Sequence, residues 1–248
     1  MNSFRIVRAE LRKLTSTKMP LAFLIVLVVI GAATAVAVAF GTDMDGSKTF
    51  ISSAADQQSM MAFAGNALVI AGLFGAIAVA REYGHGTVVL TFLATPRRSE
   101  AVSAQLAAAF VAGSVLGLFG AGISAGSVAA GLTATDFGFM VSVSDLVQVL
   151  TASTLAGGAG AVLGAGVGAL IRNTGGAVTG TILLLVILPP LAVQMVSETA
   201  SWIPGTLANV VSGIESSVAI GPAILAIGLW AVVPAAIGMF AVARRDVV

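Results

Sequence analysis

Six apolar runs, each long enough to cross a bilayer as a helix, limit what this chain can become more than any other feature. They are Pro20–Phe40, Ser59–Ala80, Ala101–Gly131, Leu146–Ile171, Gly175–Val196 and Val218–Ala243. A hydrocarbon core of about 30 Å takes roughly 20 apolar residues of helix per crossing. Charged residues make up 9% of the 248 and hydrophobic ones 58%, against about 25% charged in a soluble domain. A membrane β-barrel would instead show segments of about ten residues with alternating polarity. The stretches between the runs are too short to fold separately. The expectation is an all-α integral membrane protein, with residues 1–248 forming one transmembrane domain of six helices.

Lys and Arg set the orientation. Arg5, Arg8, Arg12, Lys13 and Lys18 precede the first run, Arg81, Arg97 and Arg98 follow the second, Arg172 follows the fourth, and Arg244 and Arg245 follow the sixth. Eleven of the twelve basic residues therefore fall on one side of a six-span arrangement, and only Lys48 on the other. The positive-inside rule makes that side cytoplasmic, which predicts a multi-pass protein of the plasma membrane with both termini inside. The acidic residues Asp43, Asp45, Asp56, Asp136, Asp145, Glu198 and Glu215 lie opposite. At a net charge of +1, the basic residues read as topology signals and not as a nucleic-acid surface. Ala35-Val36-Ala37 after a basic start imitates a signal-peptide cleavage site. However, the leader and apolar run are both longer than that pattern uses, and cleavage would remove a span.

Within residues 1–18, Phe4, Val7, Leu11 and Leu14 recur at helical spacing, flanked by Arg5, Arg8 and Arg12. That pattern predicts an amphipathic helix lying in the membrane interface, its arginines among anionic headgroups. A plain polar leader that enforces topology is the simpler alternative. The Ser197–Ser217 stretch carries Trp202, Ile203, Pro204, Leu207, Val210, Val211 and Ile214 among polar residues. A re-entrant segment and a surface loop both fit it. Gly113/Gly117, Gly122/Gly126 and the Gly160/Gly164/Gly168 series are spaced for close helix crossings, the last being the strongest. Pro189-Pro190 and Pro222/Pro234 predict bends in spans five and six.

Several chemistries are excluded. The chain has no Gly-Lys pair, hence no phosphate-binding loop, and no cysteine. Its single histidine, His85, makes neither a catalytic set nor, with Glu82, a metal site. The spans lack ionisable residues well inside them, which disfavours an ion-coupled carrier. Asn66, Gln148, Thr151, Thr154 and Gln194 are the polar residues available to line a substrate path, although hydrogen bonding between helices is the commoner use.

The polar island Arg81–Glu100 carries the one motif. Glu82, Gly86-Thr87, Leu90, Leu93, Pro96 and Arg97 stand in the order Glu, Gly-Thr, spaced leucines, Pro and a basic residue. With six spans, the leader Glu10-Leu11-Arg12-Lys13-Leu14 and the ending Arg244-Arg245-Asp246, the chain resembles the ABC-2 type permease family. These are membrane subunits of ATP-binding-cassette exporters, and small bacterial members share this layout. The likeness covers the whole chain in layout and about twenty residues in motif.

The resemblance implies a cytoplasmic coupling helix over Val88–Ala94 between spans two and three. Thr87 would cap it, Val89, Phe92 and Leu93 would share a face, and Pro96 would end it. Glu82 would tie the base of span two to it, and Arg97 would meet the ATPase or headgroups. It implies a permease dimer, with a second copy or a related chain, served by two ATP-binding subunits that hold the ATP and Mg. The chain itself would then be neither an enzyme nor a cofactor carrier. The substrate would be hydrophobic or amphipathic: a drug, an antimicrobial peptide or a lipid. The competing readings are a non-transporting scaffold or sensor subunit and an ATP-independent carrier.

Overall fold

The structure, a computed structural model, describes residues 3–44, 46–88, 91 and 98–244. It runs α1 (Ser3–Thr15), α2 (Met19–Phe40), α3 (Ala54–Met61), α4 (Ala64–Gly84), α5 (Arg98–Leu132), α6 (Val143–Ile171), α7 (Thr174–Ile182), α8 (Leu188–Met195), α9 (Pro204–Val211) and α10 (Ile220–Arg244). Among the described residues there is no strand, and six helical segments are long and apolar enough to cross a membrane: α2, Ala54–Gly84, Ser99–Leu132, α6, Thr174–Met195 and α10. The protein is a multi-pass membrane protein of all-helical construction.

Helix α6 is the axis. It packs against α4, α5 and α10, and small residues on its different faces serve each neighbour. Toward α4, a Cβ at Gly160, Gly164 or Gly168 would collide with the backbone carbonyl of Leu68, Gly72 or Ala76, respectively. Three successive turns of two helices thus touch main chain to main chain, the arrangement that small residues four apart allow in a membrane. Toward α5, Gly157 meets Gly113 and Gly117; toward α10, Gly166 meets Ala235 and Gly238. Gly122 and Gly126, with the same spacing, face open space. The outermost helix is α2, with Ile25, Val29 and Val36 more than half exposed, as befits a lipid-facing surface.

Two irregularities shape the spans. Span two starts at Ala54, earlier than its apolar run, because Ser53 and Asp56 form a capping box that begins the helix among polar residues. It then breaks at 62–63 and resumes as α4, with Phe63 turned inward against Gly120. In span five, Leu183–Ile187 forms a π-helical turn whose closing N–H, from Leu188, donates to the Leu183 carbonyl. Pro189 and Pro190 follow directly within the continuous helix, and the π-helical turn before them is the local adjustment that accommodates their missing donors. In span six, Pro222 sits in the first turn, where no donor is needed, whereas Pro234 lies within the helix.

The loops at the end opposite α1 are pinned by glutamines. Gln57 is fully buried; its Nε2 donates to the Ile51 and Gly138 carbonyls (3.2 and 2.9 Å) and its Oε1 accepts from Met140 N–H (2.8 Å). Gln58 Nε2 donates to the Ser212 carbonyl (3.0 Å) and Gln148 Nε2 to that of Val211 (3.2 Å). These last two hold the Ser197–Ser217 stretch, which is neither a free loop nor a lid. Its helix α9 buries Leu207, Ala208 and Val210 against α4, α6 and α10.

Candidate functional site

The end carrying α1 gathers the charged residues into a knot centred on Glu82, in the last turn of α4. Glu82 Oε1 accepts from Lys13 Nζ of α1 (2.9 Å) and Oε2 accepts from Gln105 Nε2 of α5 (2.7 Å). Lys13 Nζ also lies 2.7 Å from Glu10 Oε2 and donates to Thr91 Oγ1 at 3.3 Å. One ammonium therefore serves two carboxylates and a hydroxyl. Glu10 and Gln105 are each 5% exposed, so these hydrogen bonds offset a desolvation cost that an unpaired charge there could not bear.

Burial raises the Glu10 pKa above the ordinary carboxylate value, with Lys13 pulling in the opposite direction. For Lys13, burial lowers the pKa, but its bonds to Glu10 and Glu82 outweigh that and leave it raised. A lysine held between two carboxylates stays charged; a carboxyl beside a second carboxylate and out of water gives up its charge more readily.

The residues after Glu82 turn back on α4. Gly86 has φ +69°, a left-handed conformation that glycine adopts without strain. His85 N–H and Nδ1 both lie against the Arg81 carbonyl (3.0 and 2.8 Å), closing the helix locally. Thr87 Oγ1 donates to the Glu82 carbonyl at 3.3 Å, so it caps the end of α4. Val88 beyond it is buried. Leu90 and the expected coupling residues Val89, Phe92, Leu93, Pro96 and Arg97 lie outside the described residues.

In α1, Arg5, Arg8 and Arg12 are exposed and line a groove with Ala9, Lys13 and Ser16. The apolar stripe is only partly the inward face: Leu14 packs inward, Val7 and Leu11 are half-buried, and Phe4 is 72% exposed. Ile6 and Glu10 are the buried positions of that helix. The signal for the true inward face was a lone Glu10 in a basic leader, three residues before Lys13.

Tyr83 and Arg172 form a second contact at the same end. Arg172 ends α6 in the left-handed region (φ +58°), with its guanidinium 5.2 Å from the centre of the Tyr83 ring. Tyr83 Oη, Gln105 Oε1 and Arg172 Nε and Nη2 are buried without a hydrogen-bond partner among the described residues.

The expected path residues are spread over α4, α6 and α8. Thr151 donates to the Val147 and Gln148 carbonyls and Thr154 to that of Leu150, all within α6. Gln148 holds α9, while Asn66 and Gln194 are exposed on α4 and α8. Among the described residues, no group of three or more His, Cys, Asp and Glu side chains is placed to hold a metal. No protein-family model and no curated protein matches this chain.

Proposed function

We propose that this chain is the permease subunit of an ABC-2 type exporter, moving a hydrophobic or amphipathic substrate outward across the plasma membrane. ATP and Mg are held and used by two copies of a separate subunit, and a second permease, identical or related, completes the pore. The observation that carries the reading is the knot at Glu82. The motif residue that should connect span two to an ATPase-facing element is bonded to the leader helix through Lys13 and to span three through Gln105. The same Lys13 reaches Thr91, inside the motif. Force applied to that segment by a closing ATPase would pass into α4, and α4 lies main chain to main chain on the axis helix α6.

In this reading α1 lies in the interface, with Arg5, Arg8 and Arg12 toward headgroups, and the segment after Val88 docks on the ATPase. The first test is a mild-detergent pull-down of the tagged chain from its native membrane, with mass spectrometry of what accompanies it. A stoichiometric partner with a phosphate-binding loop supports the exporter. Its absence beside an intact, folded chain favours the scaffold reading, or, if the purified chain transports along an ion gradient in liposomes, the carrier. In the assembled transporter, Glu82→Ala and Gly86→Pro are expected to abolish substrate-stimulated transport while leaving insertion unchanged. Wild-type transport in both would sink the assignment.

A further inference from the structure

Spans five and six both rest on α6, but on different sides of it, and a groove of about 540 Å³ runs between them. Its floor is Val167, Leu184 of the π-helical turn forms one wall, and Trp230, Val233 and Ile237 of α10 form the other. Trp202 closes one end, its carbonyl accepting from Trp230 Nε1 at 3.1 Å. The gap lies where both walls depart from regular helix, at Leu183–Ile187 and at Pro234.

We propose that this groove binds a single acyl chain of a membrane phospholipid, independently of the transport reading. Four observations on the groove support this. The α10 part of the lining, residues 226–237, spans about 17 Å and begins about 9 Å from the start of that helix at 1.5 Å per residue. It is therefore within the roughly 30 Å of hydrocarbon, where aliphatic chains are the solvent.

The lining is also matched to such a chain in polarity. It contains no charged side chain, and its only side-chain donors, the indoles, include Trp230, already bonded. A ligand needing hydrogen bonds would lose them there, whereas a saturated chain has none to lose. Size separates the occupants further. A helix of roughly 10 Å diameter over 17 Å would displace on the order of 1,300 Å³, more than twice the groove volume. A hydrocarbon chain can lie wholly within the groove, whereas a helix could only rest on its rim. The floor is buried, with Val167 7% exposed, while the rim residues Leu229, Val233 and Ile237 are half or more exposed, so a chain can enter sideways from the bilayer.

The chain has two tryptophans, and both line the groove, which supplies its own reporter. The full-length protein, solubilised in detergent, would be titrated with phosphatidylcholine brominated on its acyl chains while tryptophan emission is followed. Trp202→Phe isolates Trp230. The expected result is quenching that saturates near one lipid per chain. Ala226→Phe, inside the groove, and Val233→Phe, at its half-exposed rim, should each remove the saturable component. Circular dichroism would confirm that both variants keep their helix. Quenching that rises in proportion to lipid content and is the same in both variants would mean contact with bulk lipid only and overturn the proposal. Absence of quenching would mean that protein covers the groove, and would overturn it as well.

Discussion

The crossing of α4 on α6 and the border between spans five and six are both wholly apolar, yet one is lined by glycine and closed and the other by Leu, Val, Ile and Trp side chains and open. At the crossing, glycines recur every fourth residue on α6 and meet backbone at each turn. At the border, a π-helical turn and Pro234 interrupt the two walls, and among the described residues no other helix fills the space between them. The difference shows that close approach of membrane helices needs small residues on the facing surface. Regular helix on both sides is also needed, because one extra residue in a turn carries the next small residue off the shared face.

The largest expected effect tests the closed side. Gly164→Val places a branched side chain on the Gly72 carbonyl and should cost about 3 kcal/mol or more, read as lost monodisperse protein or a lowered melting temperature in detergent. A wild-type melting curve would break the account of the crossing. Next comes the knot at the end of that crossing. Lys13→Ala leaves Glu10 without its ion-pair partner and Glu82 with Gln105 alone and should cost about 1–3 kcal/mol, seen as protease access to α1, or labelling of a cysteine introduced there, while the six spans stay intact.

The same docking should respond to pH. The folded Lys13 pKa is raised, so its contribution is complete below 10.5 and fades as pH rises through the folded value. The folded Glu10 pKa is also raised, so its contribution is greatest below 4.5 and declines as pH rises through its folded value. Labelling of an introduced α1 cysteine, divided by that of the same label on a free peptide of residues 1–18 to remove the thiol's own titration, should therefore be lowest in acid and climb in strong alkali, and a ratio flat across both ranges would dissociate these groups from docking. The smallest effect sharpens the comparison: Gly122→Val meets open space and should stay within about 0.5 kcal/mol of wild type. A cost like that of Gly164→Val would show that helix propensity, and not contact, governs both.

The spans were legible because hydropathy and length are local properties of sequence. Pairing was legible only where a pattern repeated long enough to define a face, as at Gly160, Gly164 and Gly168. Gly122 and Gly126 show the limit: two glycines four apart define a face but not what stands opposite. The early start of span two depends on Ser53 and Asp56, a cap that an apolar-run reading passes over. Gln57 and Gln105 could not have been singled out, since a polar residue beside or inside an apolar run looks the same whether it is satisfied by carbonyls eighty residues away or by water. At the candidate site Glu82 was legible as a motif residue, but its partners Lys13 and Gln105 were not, because their meeting is decided by how α1 and α5 pack.

The contact between Gly72 and Gly164 also sets an order of events during biosynthesis. The chain is made from its N-terminus at about 5–20 residues per second, so α4 is threaded into the membrane roughly 5–18 s before the surface it is shaped to meet has been synthesised. During that interval the translocation machinery, or lipid, must cover a helix face bared to its backbone. The centre of the finished bundle is a late arrival, and the first half of the protein must wait for it.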